Sequence, residues 1–295
     1  MKVLLTGAGG YVGNSLVQFF AERGTEVYAL YNSTFPAHMD TLPRVHLIQA
    51  DLGIKIEDLE PVDIIIHCAT VHPFSRRLPN ALDYVDSNIN ATRNLLDYGL
   101  SCSAKLFIYL STVTIHGNIL VKELNENTPQ HEPNLLGMTK YLAERVVETY
   151  ADRLPSVILR LPGIVGPELL ALQRPWLCSV LQKAIRNEPI RIFNGSSPFN
   201  NVTDITDIGN LIVLLMEKWN SGVDIFNLAA QSPLELNQVV QNIINQTQSD
   251  SEIIEKRNNK NSFFINIDKV LNQLQFMPKT TEAMIQRFVQ ENTVI

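Results

Sequence analysis

A strand that runs straight into a glycine loop and then into a helix constrains this chain more than any other feature. Lys2 to Thr6 is a short apolar run with strand character, and Gly7-Ala8-Gly9-Gly10-Tyr11-Val12-Gly13 follows it without a spacer. Tyr11 to Arg23 then carries Val12, Leu16 and Phe19 at helical spacing, with Gly24 placed to end the helix. In this setting Gly7 allows the tight turn, Gly10 lets the backbone approach a pyrophosphate, and Gly13 lets the helix pack close to the sheet. Phosphates would sit on the positive end of that helix, whose first turn holds Tyr11 and Val12. A strand–helix turn without any ligand also uses glycines, so the loop is an expectation that the rest of the chain has to support.

The pattern continues as alternation. Glu26 to Tyr31, Val45 to Gln49, Val62 to Cys68, Lys105 to Leu110 and Ser156 to Leu161 read as strands. Between them Asp86 to Tyr98, closed by Gly99, and Leu135 to Tyr150 read as helices. Strands that are apolar throughout suit a parallel sheet covered on both faces. Their alternation with helices gives an α/β fold with a doubly wound parallel (Rossmann) sheet. After Leu161 the pattern loosens at Pro162, Gly163, Gly166 and Pro167, before a helix near Pro175 to Asn187. Asn237 to Asn261 is rich in Asn, Gln and Ser, yet Val239, Val240, Ile243 and Ile244 keep a helical stripe; a surface helix followed by a loop is expected. The expected division is a dinucleotide-type domain over 1–165 that also takes in about 200–228. A smaller α/β substrate-binding part would cover 166–199 and 229–295.

Composition removes several classes. The net charge is −6 with no block of Lys and Arg, which argues against a nucleic-acid or anionic-membrane surface. Cys68, Cys102 and Cys178 form no CxxC pair, so neither a disulfide framework nor a cysteine zinc site is expected, and a reducing cytoplasm fits. Apolar runs such as Leu211 to Met216 fall well short of the roughly 20 residues of a membrane span. The start reaches Thr6-Gly7 before a signal-peptide core could form. There is no G-x-S-x-G elbow, no HExxH and no Walker lysine, and His, Cys and carboxylates do not cluster at metal spacing.

Several later motifs, taken in order, resemble the extended short-chain dehydrogenase/reductase family, its NAD-dependent epimerase/dehydratase group that modifies nucleotide sugars. The glycine spacing is GxxGxxG. Asp51-Leu52 looks like the family's adenine-contacting pair, and Val62 to Ala69 is similar to the strand lining the cofactor. Asn88 to Leu96 resembles the family's N-x-x-G-T-x-N-L-L helix, with Ala91 in the glycine place. Leu110 to Gly117 looks like the strand carrying the catalytic hydroxyl, which the resemblance assigns to Thr112. Arg160 to Pro167, with Pro162, matches the turn beside the nicotinamide; Asp204 to Ile208 and Asp268-Lys269 to Pro278 are similar to later signatures. The resemblance implies hydride transfer with NAD(P), a nucleotide-sugar substrate, and a homodimer packed through the helices that hold Asn88 and Lys140.

The catalytic pattern departs from the family at one place. The resemblance calls for a Tyr four residues before a Lys, about 400° of helix and so one turn apart on one face. There the Lys lowers the phenol's pKa and binds the ribose, and the phenol exchanges the substrate proton. Asn134-Leu135-Leu136-Gly137-Met138-Thr139-Lys140 has the Lys, but Leu136 stands in the Tyr place. His116, His72, or Thr112 with Lys140 through a water could substitute; Tyr141, about 140° round the helix from 136, should face away. Each has a plainer reading, as a loop histidine or a packing residue. An inactive sensor or scaffold of the same fold is the alternative to an enzyme. The family's diphosphate-binding Arg is replaced by Asn200, with Arg174 and Arg191 as other sources of charge. The tip of the second strand, Tyr31-Asn32-Ser33-Thr34, has no carboxylate for the ribose 2′-OH, which leans the cofactor toward NADP(H).

Overall fold

The runs with no polar alternation become the middle of a sheet buried on both faces. Ile64 to His67 is between 0 and 3% exposed along its whole length. The computed structural model describes residues 1–54, 56, 59–73, 78–167, 175–258 and 261–293. In chain order the elements are β1 (Lys2–Thr6), α1 (Tyr11–Glu22), β2 (Glu26–Tyr31), β3 (Val45–Gln49), β4 (Ile64–His67), α2 (Ala81–Tyr84), α3 (Ala91–Ser101), β5 (Leu106–Thr112), β6 (Glu123–Leu124) and α4 (Leu135–Glu148). They continue with β7 (Ser156–Leu161), β8 (Gly163–Val165), α5 (Pro175–Ile185), β9 (Ile190–Phe193), β10 (Pro198–Phe199), β11 (Val202–Asp204), α6 (Ile205–Lys218) and β12 (Val223–Asn227). The last are β13 (Leu234–Glu235), α7 (Leu236–Gln246), β14 (Ile253–Lys256), β15 (Phe264–Ile265), α8 (Asp268–Leu274) and α9 (Thr281–Thr293). A π-helical turn at Val85–Asn90 joins α2 to α3, and a 3-10 turn at Val113–His116 follows β5.

Two compact units form. The first comprises Met1–Gly117, Gln130–Arg160 and Gly209–Phe226. Its seven-stranded sheet runs β12-β7-β5-β4-β1-β2-β3, with the pairs from β5 to β3 all parallel. This is the doubly wound arrangement expected from the sequence. Strand order reverses between β1 and β4, the place where ligands bind in such sheets, just beyond the strands' carboxyl ends. One face is sealed by α3 and α4 through Leu95, Leu96, Ala143 and Val147 on Ile65, Phe107 and Ile158. Each of the Leu, Val, Ile and Phe side chains contributes roughly 1.5–3 kcal/mol on burial.

Gly99 corrects one expectation. It does not end its helix, which continues to Ser101; a Cβ there would stand 3.0 Å from both Ile65 Cδ1 and Leu154 Cδ2. The glycine is a packing contact, which local spacing cannot tell from a stop. Gly24 does follow the end of α1, with φ of +73°.

The second unit comprises Asn118–Pro129, Leu161–Ile208 and Asn227–Ile295. It is built from two-stranded pairs: β8 with β11, β9 with β14 and β6 with β15 in parallel, β10 with β13 antiparallel. The stripe Val239, Val240, Ile243 and Ile244 lies buried on α7, which packs on α9. The Asn-rich stretch beyond it is not all loop. Ile253 to Lys256 pairs with β9, a partner more than 50 residues away that no local pattern announces. No helix of the described residues is long and apolar enough to cross a membrane.

Candidate dinucleotide site and active-site wall

The glycine loop sits at the carboxyl end of β1, at the reversal of strand order. Ala8 N–H donates to Leu30 O and Gly10 N–H to Gly7 O, both at 2.9 Å, which closes the turn. Gly7 has φ of +77°, and a Cβ on it would lie 2.9 Å from Ala69 N. A Cβ on Gly13 would lie 2.2 Å from Gly7 O, so the helix can approach the turn only without one. Gly10 differs: its Cβ would meet only Gly7 O, at 3.4 Å. It is also the N-cap of α1, with no side chain capping the helix. The first-turn amides and the positive end of α1 are thus turned to the loop, a cradle that fits a pyrophosphate. Gly9, to which sequence reasoning gave no role, is needed as well, since its Cβ would fall 2.3 Å from Thr34 O. That contact joins the loop to the tip of β2 and is invisible in a local motif.

Hydrogen bonds from outside the loop position the rest of this region. Thr6 Oγ1 accepts the N–H groups of Cys68 at 3.2 Å and Ala69 at 3.1 Å, fixing the chain after β4. Asn94 Nδ2 donates to Leu52 O and Ile54 O, both at 2.9 Å, and Asp51 Oδ1 accepts Gly53 N–H at 2.9 Å. The Asn of the N-x-x-A-T-R-N run therefore holds the Asp51-Leu52 turn. Asn32 is exposed and its carbonyl accepts Gln49 Nε2 at 3.0 Å. Asn14 Nδ2 and His38 Nε2 lie 2.9 Å apart beside α1. Within the π-helical turn, Asn88 Nδ2 donates to Thr139 Oγ1 at 2.9 Å while its Oδ1 accepts from Thr70 Oγ1 at 2.9 Å. One carboxamide thus ties the segment after β4 to the residue preceding Lys140.

The second set of candidates lies where α4 meets β5 and the 3-10 turn. Asn134 caps α4 through Gly137 N–H at 3.0 Å. A Cβ on Gly137 would stand 2.4 Å from Thr114 O, so glycine lets the helix close on that turn. Leu136 is buried at 8% exposure. Lys140 Nζ donates to Leu110 O at 2.6 Å and lies 4.1 Å from the centre of the Tyr109 ring. Burial pulls this ammonium down to about 7, against the opposing pull of Glu144 and Cys68. Thr112 Oγ1 accepts Thr114 N–H at 3.2 Å and is 2.9 Å from Thr114 Oγ1, capping the turn. Behind them Glu144 accepts from Ser111 Oγ and, at 2.8 Å, from Arg160 Nη2, a fully buried ion pair.

Lys140 and Thr112 are therefore brought to the same end of β5. His116 is fully buried at the end of the 3-10 turn, and His72 is exposed after β4. Tyr141 is half-buried on α4. Pro162 follows β7 in the second unit. Arg191 is exposed on β9, and Arg174 lies outside the described residues. Asn200 is 1% exposed and committed internally: Nδ2 donates to Ala230 O at 3.0 Å and Ile265 O at 2.8 Å, and Oδ1 accepts Ile265 N–H at 2.8 Å. It laces three segments of the second unit together.

With this geometry in place, comparison with known proteins decides the family. Residues 3–229 match the NAD dependent epimerase/dehydratase family. The chain belongs to that family. A low-salt glycan biosynthesis protein, Agl12, of Haloferax volcanii is 23% identical over 274 residues, covering 87% of each chain. Among solved structures, a UDP-glucose 4-epimerase of Thermotoga maritima with UDP-glucose superposes with a TM-score of 0.82 at 21% identity, covering 99% of this chain and 98% of that one. A UDP-glucuronic acid 4-epimerase of Bacillus cereus in complex with NAD gives 0.80 at 20% identity over the same shares. At these identities the structures establish the Rossmann-type fold of this family member. The lean toward NADP(H) from the bare strand tip finds no support, since the family is named for NAD and this neighbour holds NAD.

Proposed function

We propose that this chain is an NAD-dependent enzyme that epimerises, dehydrates or reduces a nucleotide-linked sugar by hydride transfer. The observation that carries the reading is the glycine cradle, in which Gly7 and Gly13 are required by neighbouring backbone and Gly10 opens on the uncapped start of α1. A bound nicotinamide supplies the acceptor or donor of hydride. The chain would hold the pyrophosphate with Gly7, Gly10, Tyr11, Val12 and Gly13, and flank the adenosine with Asn32, Asp51 and Leu52. Ala69 and Lys140 would line the nicotinamide half, and Thr112 would orient the reacting oxygen. The part over 166–199 and 229–295 would carry the sugar nucleotide.

Leu136 favours a second reading, a dinucleotide-binding sensor or scaffold without turnover. A panel of UDP- and dTDP-sugars, assayed with wild type and Leu136→Tyr, separates the two. Wild-type turnover is expected, within about tenfold of the Tyr variant. Turnover seen only with Tyr restored would select the scaffold.

A homodimer is supported by Leu135, Met138 and Leu142, which are 44, 48 and 50% exposed in one stripe along α4. Sedimentation at micromolar concentration is expected to give twice the chain mass, and Leu142→Glu to lower it; a monomer mass for wild type contradicts the dimer. A cytoplasmic setting fits the three thiols Cys68, Cys102 and Cys178.

A further inference from the structure

Residues 31–39 leave β2 without a carboxylate, a Lys or an Arg, yet they are built against the glycine cradle at successive points. Asn32 O is held from the β3 side by Gln49 Nε2 at 3.0 Å. The chain then crosses Gly9, with Thr34 O so close that a Cβ on the glycine would lie 2.3 Å from it. A 3-10 turn at Ala37–Met39 follows, anchored by Met39, which is fully buried and donates its N–H to Pro36 O at 2.9 Å. This turn brings His38 to α1, where the Asn14 carboxamide meets one nitrogen of its ring. Asn14 Nδ2 stands 2.9 Å from His38 Nε2 and Asn14 Oδ1 3.2 Å from it. The shorter contact makes Nε2 the acceptor and leaves the ring proton on Nδ1. The ring is exposed, and Nδ1 has no hydrogen bond among the described residues.

We propose that His38 reads the 2′ position of the adenine ribose, in place of the carboxylate that the tip of β2 lacks. This rests on the NAD-dependent reading above. In a sheet of this kind the pyrophosphate lies on the first turn of α1, and the adenine ribose comes to the carboxyl end of β2. The chain bounding that ribose runs from Gln49 over Gly9 to Asn14, and His38 is the side chain that ties it to the helix. With Nε2 held by Asn14, the Nδ1–H of a neutral ring donates to the 2′-OH. A 2′-phosphate finds one donor there and no fixed positive charge. Arg44, the next arginine along the chain, is turned instead to Gly24 O at 2.9 Å. NAD is therefore preferred although the strand tip has no carboxylate to repel NADP.

The test is a double cycle between His38→Ala and the 2′-hydroxyl, measured on the whole chain with NADH and 2′-deoxy-NADH. In the wild type, loss of the hydroxyl is expected to weaken binding about three- to tenfold. In His38→Ala the two nucleotides should bind within about twofold of each other, because the partner of the hydroxyl is gone. A side chain that merely supports the loop would weaken both nucleotides alike and leave the wild-type ratio standing, which overturns the proposal. Equal binding of the two by the wild type overturns it as well. So does a ratio lost in Asn32→Ala but kept in His38→Ala, which gives the hydroxyl to the strand tip. His38→Arg supplies a fixed charge and should raise affinity for NADPH relative to NADH at least about tenfold. Glu22→Gln, an equal change of net charge at the far end of α1, should leave that ratio where it was. No shift with His38→Arg, or the same shift with Glu22→Gln, overturns the assignment. Failure of the wild type to bind NADH instead sinks the dinucleotide reading beneath it.

Discussion

The carboxyl end of β1 and the inner face of α4 are furnished to different degrees. At the first, Gly7, Gly9 and Gly13 are each fixed by backbone standing within 3 Å of a missing Cβ, and the helix behind them begins uncapped. At the second, the packing requirements are met just as fully. Gly137 closes on Thr114, Glu144 holds Arg160, and Leu136 is buried, yet the side chain at 136 has no proton chemistry. The contrast shows that a family's fold and its chemistry are kept by different residues. Leu136 is buried in the wall without carrying a proton, so fold and order of motifs are kept at that place independently of the reaction.

Breaking the wall should cost most. Glu144→Gln leaves Arg160 buried without its carboxylate, and a loss of about 3–5 kcal/mol in unfolding free energy is expected. A loss under about 1 kcal/mol in denaturant titrations would mean that the pair does not hold α4 to β7. On the loop side, Gly13→Ala is expected to weaken NADH binding at least about 100-fold, equal to about 2.7 kcal/mol. Gly10→Ala, whose Cβ finds only a 3.4 Å neighbour in the free protein but would stand where the backbone meets the pyrophosphate, is expected to keep the wild-type melting temperature and weaken binding about tenfold, whereas Gly13→Ala lowers the melting temperature as well. Equal effects of the two changes would remove the distinction between a packing glycine and a cradle glycine. In the second unit Asn200→Ala strips Ala230 O and Ile265 O of their donor and should cost about 1–3 kcal/mol in unfolding free energy. NADH affinity should not change with it, and a fall in affinity would give Asn200 a part in the site.

The sheet was legible because its signals are local. β1, β2, β3 and β7 begin and end at the residues that apolar runs and turn glycines mark. What the sequence concealed depends on distant partners. Gly99 resembles a helix stop until Ile65 and Leu154 are seen against it, and β14 is polar enough to pass for loop until β9 pairs with it. Asn200 resembles a lost phosphate ligand until its three hydrogen bonds show a structural bridge. The candidate site divides along the same line. The glycine loop is readable from its spacing and its strand–helix setting, and Thr112 and Lys140 only through the resemblance to the family, whereas the inward turn of Lys140 to Leu110 O and Tyr109 follows only from packing α4 on β5.

The most direct measurement is a titration of the purified protein with NADH and, separately, NADPH, following nicotinamide fluorescence. Saturable binding of NADH, tighter than that of NADPH, is the expected result, and it would place a dinucleotide on the glycine cradle with NAD preferred. No binding of either nucleotide, with adenine nucleotides failing as well, would contradict the account at its base.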